Sequence, residues 1–248
     1  MMASLRTLLF MLLVSLLTMP FGILVTLAIA LPMPTRYRII ALWRRGFMAL
    51  CHSVLGIRYR VVGRENIPAE PSVVLAKHQS AWETVGLQEI FPPLVFVLKR
   101  ELLRVPFFGW GLAAMKMISI DRTAAKDALK QVFDQGRERL AAGYWVVIFP
   151  EGTRVAPGAT ARYKPGAAHL AVRCGARVVP VAHNAGEFWR KDGFALVSGE
   201  ITVSIGPPID PAGKSAAKIN ALAAAWIESE MQRLSPHRYP ATADAVAA

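Results

Sequence analysis

The sequence predicts an α/β fold with a mainly parallel central sheet flanked by helices, preceded by an apolar helical segment that anchors the chain in a membrane. Three observations predict it. From Ser72 onward, short apolar, β-branched runs alternate with longer helix-period segments, the pattern of βα units around a parallel sheet. No residue from Thr7 to Thr35 is charged, a run longer than the roughly 20 residues that cross a bilayer. Finally, 29 Lys and Arg against 17 Asp and Glu give a formal charge of +12, which beside an apolar anchor suits an anionic membrane surface.

The N-terminal run is too long for the apolar core of a signal peptide, although Ala28-Ile29-Ala30 has small-residue cleavage character. Arg36, Arg38, Arg44, Arg45, Arg58, Arg60 and Arg64 crowd its C-terminal flank, which marks that side as cytoplasmic and predicts a retained anchor. Pro20 and Gly22 interrupt the run, compatible with a kinked span or with two short helices that enter one leaflet and return. Ala41 to Ile57 mixes Trp43, Phe47, Leu50, Val54 and Leu55 with arginines and reads as an amphipathic helix at the headgroups. A Pro-containing loop spans Arg64 to Pro71.

Strands are then expected at Ser72–Ala76, Leu94–Leu98, Met115–Ile120, Tyr144–Phe149, Arg177–Ala182 and Glu200–Ile205. Helices are expected at Thr84–Phe91, Lys126–Ala142 before Gly143, Gly166–Cys174 before Gly175, and Lys214–Leu234. The expected organisation is an anchor with its basic amphipathic helix over residues 1–58, a catalytic domain over 59–236, and a flexible tail over 237–248.

Some function classes drop out early. No zinc-finger spacing, aromatic RNA-binding signature or isolated basic helix accompanies the positive charge, so nucleic acid is not an expected partner. Cys51 and Cys174 lack CxxC spacing and sit in apolar surroundings, as reduced thiols do. His52, His169, His183 and His237 are scattered without HExxH or similar spacing, so no metal site is expected.

Three polar clusters directly follow predicted strands: Lys77 to Glu83, Lys99-Arg100-Glu101, and Pro150 to Arg154. Parallel neighbouring strands would bring them to one edge of the sheet, where α/β folds bind ligands. A neutral imidazole at His78 can take a hydroxyl proton, and the carboxylate of Glu83 can fix its tautomer and stabilise the imidazolium. Five residues of continuous helix rotate by about 500°, so the two meet only if His78 lies in the loop and Glu83 in the first helical turn. Arg154 and Lys99 are suited to holding phosphate. No G-x-S-x-G elbow exists, neither Cys is next to a His of suitable context, and Ser80 is only two residues from His78. Direct attack by a substrate hydroxyl is therefore preferred over a covalent enzyme intermediate. Taken singly, each residue also has a structural reading: Glu83 as a helix-start acid, Lys99 and Arg154 as solvated charges, and Glu151-Gly152 as turn residues with φ > 0 at Gly152.

In combination these residues resemble the glycerolipid acyltransferase family, the 1-acylglycerol-3-phosphate acyltransferases. His78-x4-Glu83 resembles that family's HX4D block, and Phe149-Pro150-Glu151-Gly152-Thr153-Arg154 matches its FPEGTR block letter for letter. Leu98 to Leu102 with Val105 to Gly109 resembles the second block and Val178 to Ala182 the fourth, so the likeness runs from about Arg60 to Pro208. It implies the family's fold and a His78 general base that deprotonates the sn-2 hydroxyl of lysophosphatidate. That hydroxyl would attack the thioester of acyl-CoA or acyl carrier protein, giving phosphatidic acid without a cofactor. Lys99, Arg100, Glu151, Gly152, Thr153 and Arg154 are the implied phosphate-binding positions, on the cytoplasmic side of an inner membrane or its equivalent. Two positions depart from the family pattern: Glu83 stands for the commoner Asp, and Lys77 for Asn before the histidine. Lys77 either extends the anion site or is solvated, and residue type leaves both open. Other readings of the same residues are an acyltransferase for lyso-ornithine lipid, glycerol 3-phosphate or another lysolipid, a hydrolase, and a non-catalytic adaptor at a membrane surface.

Overall fold

A computed structural model of the chain describes residues 2–121 and 125–239; the expected tail from Pro240 onward lies outside them. Helix α1 (Met2–Leu27) runs unbroken through Pro20 and Gly22. The chain reverses only after a 3-10 turn at Ala28–Ala30, where Pro32 caps α2 (Met33–Ser53). The two helices form an antiparallel hairpin: Trp43 Nε1 donates to Thr18 Oγ1 at 3.1 Å, and Phe10 meets Phe47 edge-on at 5.7 Å. The segment Met2–Ala30 has a mean hydropathy of 2.5, long and apolar enough to cross a membrane. Its burial is one-sided. Thr7, Phe10, Gly22 and Val25 are buried, while Leu5, Leu9, Leu12, Leu16, Ile23 and Leu27 recur at helical spacing on the exposed face.

The amphipathic helix expected at Ala41–Ile57 thus begins eight residues earlier and ends four residues earlier, as α2. Gly56, with φ +69°, turns the chain into an unexpected strand, β1 (Ile57–Val62). The expected boundary after residue 58 falls inside this strand. Arg58 and Arg60 alternate with half-buried Tyr59 and Val61, as befits a charged edge strand, and Arg60 lies 3.1 Å from Glu200 on the neighbouring strand.

The remaining elements follow in order: β2 (Val73–Ala76), α3 (Glu83–Ile90), β3 (Leu94–Lys99), α4 (Phe108–Ala114), β4 (Ile118–Ile120), α5 (Ala125–Ala141), β5 (Trp145–Ile148), α6 (Gly166–Cys174), β6 (Val178–His183), α7 (Ala185–Phe188), β7 (Gly199–Ile205) and α8 (Ala216–Leu234). Helix α4 is unexpected because Gly109 and Gly111 lower its propensity. Gly109 is nonetheless required there, since a Cβ would stand 2.4 Å from Leu103 O.

Seven strands form one sheet in the order β1-β7-β6-β2-β5-β3-β4. All neighbours are parallel except β6 and β7. The central β2 aligns Val73 with Val178 of β6 and with Val146 of β5. Strands β2, β5 and β6 are buried at every position, because helices cover both faces of a parallel sheet. Helices α5, α6 and α8 pack together on one face, and α2 packs with α3 and β1. Ser215 caps α8, its hydroxyl accepting from Lys218 N at 3.2 Å. The packed chain continues three residues past 236: Tyr239 is buried and its hydroxyl accepts from Gln79 Nε2 at 3.1 Å.

Candidate active site

Because β2, β5 and β3 are adjacent and parallel, the residues after each strand emerge side by side at its carboxyl end. His78 lies in the loop between β2 and α3, and Glu83 is the first residue of α3. Their Nδ1 and Oε1 atoms are 2.8 Å apart. The carboxylate of Glu83 also accepts from the backbone N–H of Gln79 at 2.9 Å and of Ser80 at 2.8 Å, and from the Ser80 hydroxyl. One side chain therefore closes the loop at the helix start, in the manner of a capping acid, and orients the imidazole. Burial alone would raise the pKa of the fully enclosed Glu83. The hydrogen bonds it accepts from His78 and Ser80 oppose burial and hold it below the ordinary carboxylate range. With Nδ1–H committed to a carboxylate, Nε2 is the free acceptor of His78.

The imidazole is wedged from behind. Phe149 stacks on it at 4.0 Å, and Phe96 stacks on Phe149 at 5.8 Å. The His78 carbonyl accepts from Val155 N at 2.7 Å, tying its loop to the one that follows β5. That second loop turns at Gly152, whose φ of +71° fits the turn expected there.

His78 borders a cavity of about 390 Å³ that runs between the edge of the sheet and helices α1, α2 and α4, within the size range of ligand pockets. Lys99, Gly152, Thr153 and Arg154 line it together with His78; Phe21, Trp43, Phe96, Leu112, Met115 and Met117 supply apolar walls. Gly22 brings α1 close enough that a Cβ would stand 2.5 Å from Phe107 O, so the N-terminal helix is itself part of the cavity wall. Buried Arg36 secures this arrangement by donating to Leu31 O at 3.1 Å and to Ala114 O at the end of α4.

Two of the expected phosphate-binding side chains point elsewhere. Arg100 is exposed and lies 3.8 Å from Asp121. Glu151 turns inward beneath His78, whose backbone N–H it faces at 3.5 Å, and stays out of the cavity. A buried carboxylate would in any case repel a phosphate. Burial pushes its pKa up to about 7 against the opposing pull of Lys77 and its hydrogen bonds. Lys77 is neither solvated nor part of an anion site. It is fully buried, 2.6 Å from Glu228 and 3.5 Å from Glu151.

His183 escaped the sequence reading as a site residue. Its Nε2–H donates to Lys77 O at 2.7 Å and its Nδ1 accepts from Ala185 N at 3.3 Å, so it is a neutral imidazole, and burial lowers its pKa. It pins the residue before His78. Its only sequence signal is its position at the end of an apolar strand. Among the described residues, no group of three or more His, Cys, Asp or Glu is placed to hold a metal.

Comparison with known proteins fits this geometry. Residues 58–184 match the family model described as Acyltransferase. The chain is 48% identical over 238 residues to the 1-acyl-sn-glycerol-3-phosphate acyltransferase of Pseudomonas aeruginosa, covering 94% of this chain and 93% of that one. It is 33% identical over 171 residues to the human 1-acyl-sn-glycerol-3-phosphate acyltransferase alpha, covering 68% of this chain and 60% of that one. Its fold is similar to the crystal structure of the 1-acyl-sn-glycerophosphate acyltransferase PlsC from Thermotoga maritima. The TM-score is 0.79 at 22% identity, over 93% of this chain and 95% of that one.

Proposed function

Since the chain belongs to the acyltransferase family and is an O-acyltransferase, we propose that it esterifies the sn-2 hydroxyl of 1-acylglycerol 3-phosphate with His78 as general base. The observation that carries this reading is the His78–Glu83 pair, 2.8 Å apart, opening on a cavity that also holds Lys99 and Arg154. In the proposed reaction Nε2 of His78 takes the hydroxyl proton as the oxygen attacks the thioester carbonyl of acyl-CoA or acyl carrier protein. Glu83 stabilises the imidazolium, which then protonates the departing thiolate. Arg154 and Lys99 hold the acceptor phosphate, and the apolar walls take an acyl chain. No side chain is required to become acylated, because the acceptor hydroxyl is itself the nucleophile.

The one-sided burial of α1 supports a membrane mode in which the hairpin lies in the cytoplasmic leaflet. A helix docked along its length on the domain, from Thr7 to Val25, is not free to stand across the bilayer, and its exposed leucines form a lipid-facing stripe. The test offers purified protein a panel of lysolipids with a long-chain acyl-CoA, and separately with the same acyl chain loaded as a thioester on acyl carrier protein. Phosphatidic acid is the expected product. Acylation of a phosphate-free acceptor in preference to lysophosphatidate would overturn the assignment, and so would thioester hydrolysis as the main activity.

A further inference from the structure

Directly beneath His78 lies a buried charge cluster that the acyl-transfer reading leaves unused. Lys77 Nζ is 2.6 Å from Glu228 Oε1 on α8 and 3.5 Å from Glu151 Oε1. Tyr163 OH donates to the same Glu228 oxygen at 2.8 Å. An isolated ammonium in this position would be strongly destabilising, so the lysine before His78 requires a carboxylate. That carboxylate comes from a helix 151 residues further along the chain. Glu151 carries the link forward. Its Oε1 faces both Lys77 Nζ and the His78 backbone N–H, and it sits three residues before Arg154 in a loop already bonded to His78 O.

The geometry points to Glu228 as a positioning residue for acyl transfer: through Lys77 and Glu151 it sets where His78 stands relative to Arg154. It touches neither the cavity nor any reacting atom. Its effect is to hold the base and the phosphate clamp, which come from two different loops, in register through one buried ammonium. Glu228 also lies outside residues 58–184, the segment that carries the family match. The inference rests on the acyl-transfer reading proposed above.

Two variants of the full chain in lipid–detergent micelles test it, each with a thermal melt and with kcat and KM for donor and acceptor. K77M/E228L replaces the ion pair by apolar groups, an exchange that buried pairs often tolerate without loss of stability. E228Q keeps acceptor atoms for Lys77 and Tyr163 but removes the charge. The expected result is cooperative melting with kcat lowered about tenfold or more and donor KM unchanged, since small misplacements of catalytic groups cost rate. A variant that melts like wild type and keeps kcat within about threefold overturns the positioning role. E228Q decides the matter should the double variant not fold. Wild type in the same assay separates the two ideas: no transfer by wild type sinks the acyl-transfer reading and this inference with it, whereas active variants beside an active wild type sink only this one.

Discussion

The ring of Phe149 lies on the imidazole of His78 with centroids 4.0 Å apart and planes 14° from parallel. An aromatic pair of this kind is worth about 0.5–1.5 kcal/mol beyond its buried area, and here it fixes the rotation of the proposed base about the axis that Glu83 leaves free. Phe149→Ala should therefore lower kcat by roughly 2–10-fold with little change in acceptor KM, measured in initial-rate assays. An unchanged kcat would reduce the stack to simple packing.

Glu83 has two jobs that one substitution removes together. Glu83→Gln should cost roughly two to four orders of magnitude in kcat, through loss of tautomer control and charge stabilisation. It should also lower the melting temperature, because the amide cannot accept from the Gln79 and Ser80 backbone and the Ser80 hydroxyl as the carboxylate does. A variant with normal rate but reduced stability would make Glu83 a loop-closing residue alone.

The alternation of short apolar runs with helix-period segments was enough to place β2, β3, β5 and β6 and to bring three polar clusters to one edge of the sheet. Glu83 at the first turn of α3 and His78 in the preceding loop were legible from helical geometry alone. What stayed hidden depends on contacts distant in sequence. Strand β1 looked like the tail of an amphipathic helix and an arginine flank, because an edge strand with Arg58 and Arg60 on its open side carries little apolar signal. Nothing near Lys77 announces Glu228, and nothing near His183 announces the Lys77 carbonyl 106 residues away. Glu151 was assigned to phosphate through the family motif. Only the three-dimensional course of the loop shows that its carboxylate turns inward.

Protonation of Glu151 should leave a mark on stability. Its folded-state pKa of about 7 lies above the ordinary 4.5, so the folded chain binds this proton more tightly than the unfolded chain. The associated stability is complete below pH 4.5 and is lost as pH rises through about 7. Glu151→Gln removes the titration. The melting temperature of the variant relative to wild type should accordingly rise between pH 5 and pH 8, as followed by thermal melts across roughly that range. A flat difference would mean that Lys77 keeps Glu151 ionised throughout.

The two arginines near the cavity should behave differently. Arg154→Ala removes a charge-assisted contact of roughly 1.5–3 kcal/mol and should raise the lysophosphatidate KM about 10–100-fold while sparing the donor KM. Arg100→Ala, at a side chain turned toward Asp121, should change the same constant by less than about threefold. Equal effects in steady-state assays would mean that Arg100 swings inward to meet the acceptor.

Cavity volume should govern which chains are used. Leu112→Trp places a bulkier ring in the wall and should shift preference toward shorter acyl donors, scored by competition between donors of different length. An unaltered length profile would place the acyl chain outside this cavity.

The pairing of β1 with β7 alone, and of Lys77 with a helix beyond it, has a consequence for protein engineering. The stretch that matches the family model, residues 58–184, ends before β7 and α8. Cut at those limits, it would keep β1 but lose its strand partner β7, and it would leave Glu151, 3.5 Å away, as the remaining carboxylate beside Lys77. A chimaera that exchanges only this stretch between relatives would set Lys77 against a foreign α8, and carrying α8 across with it would keep Glu228 opposite Lys77.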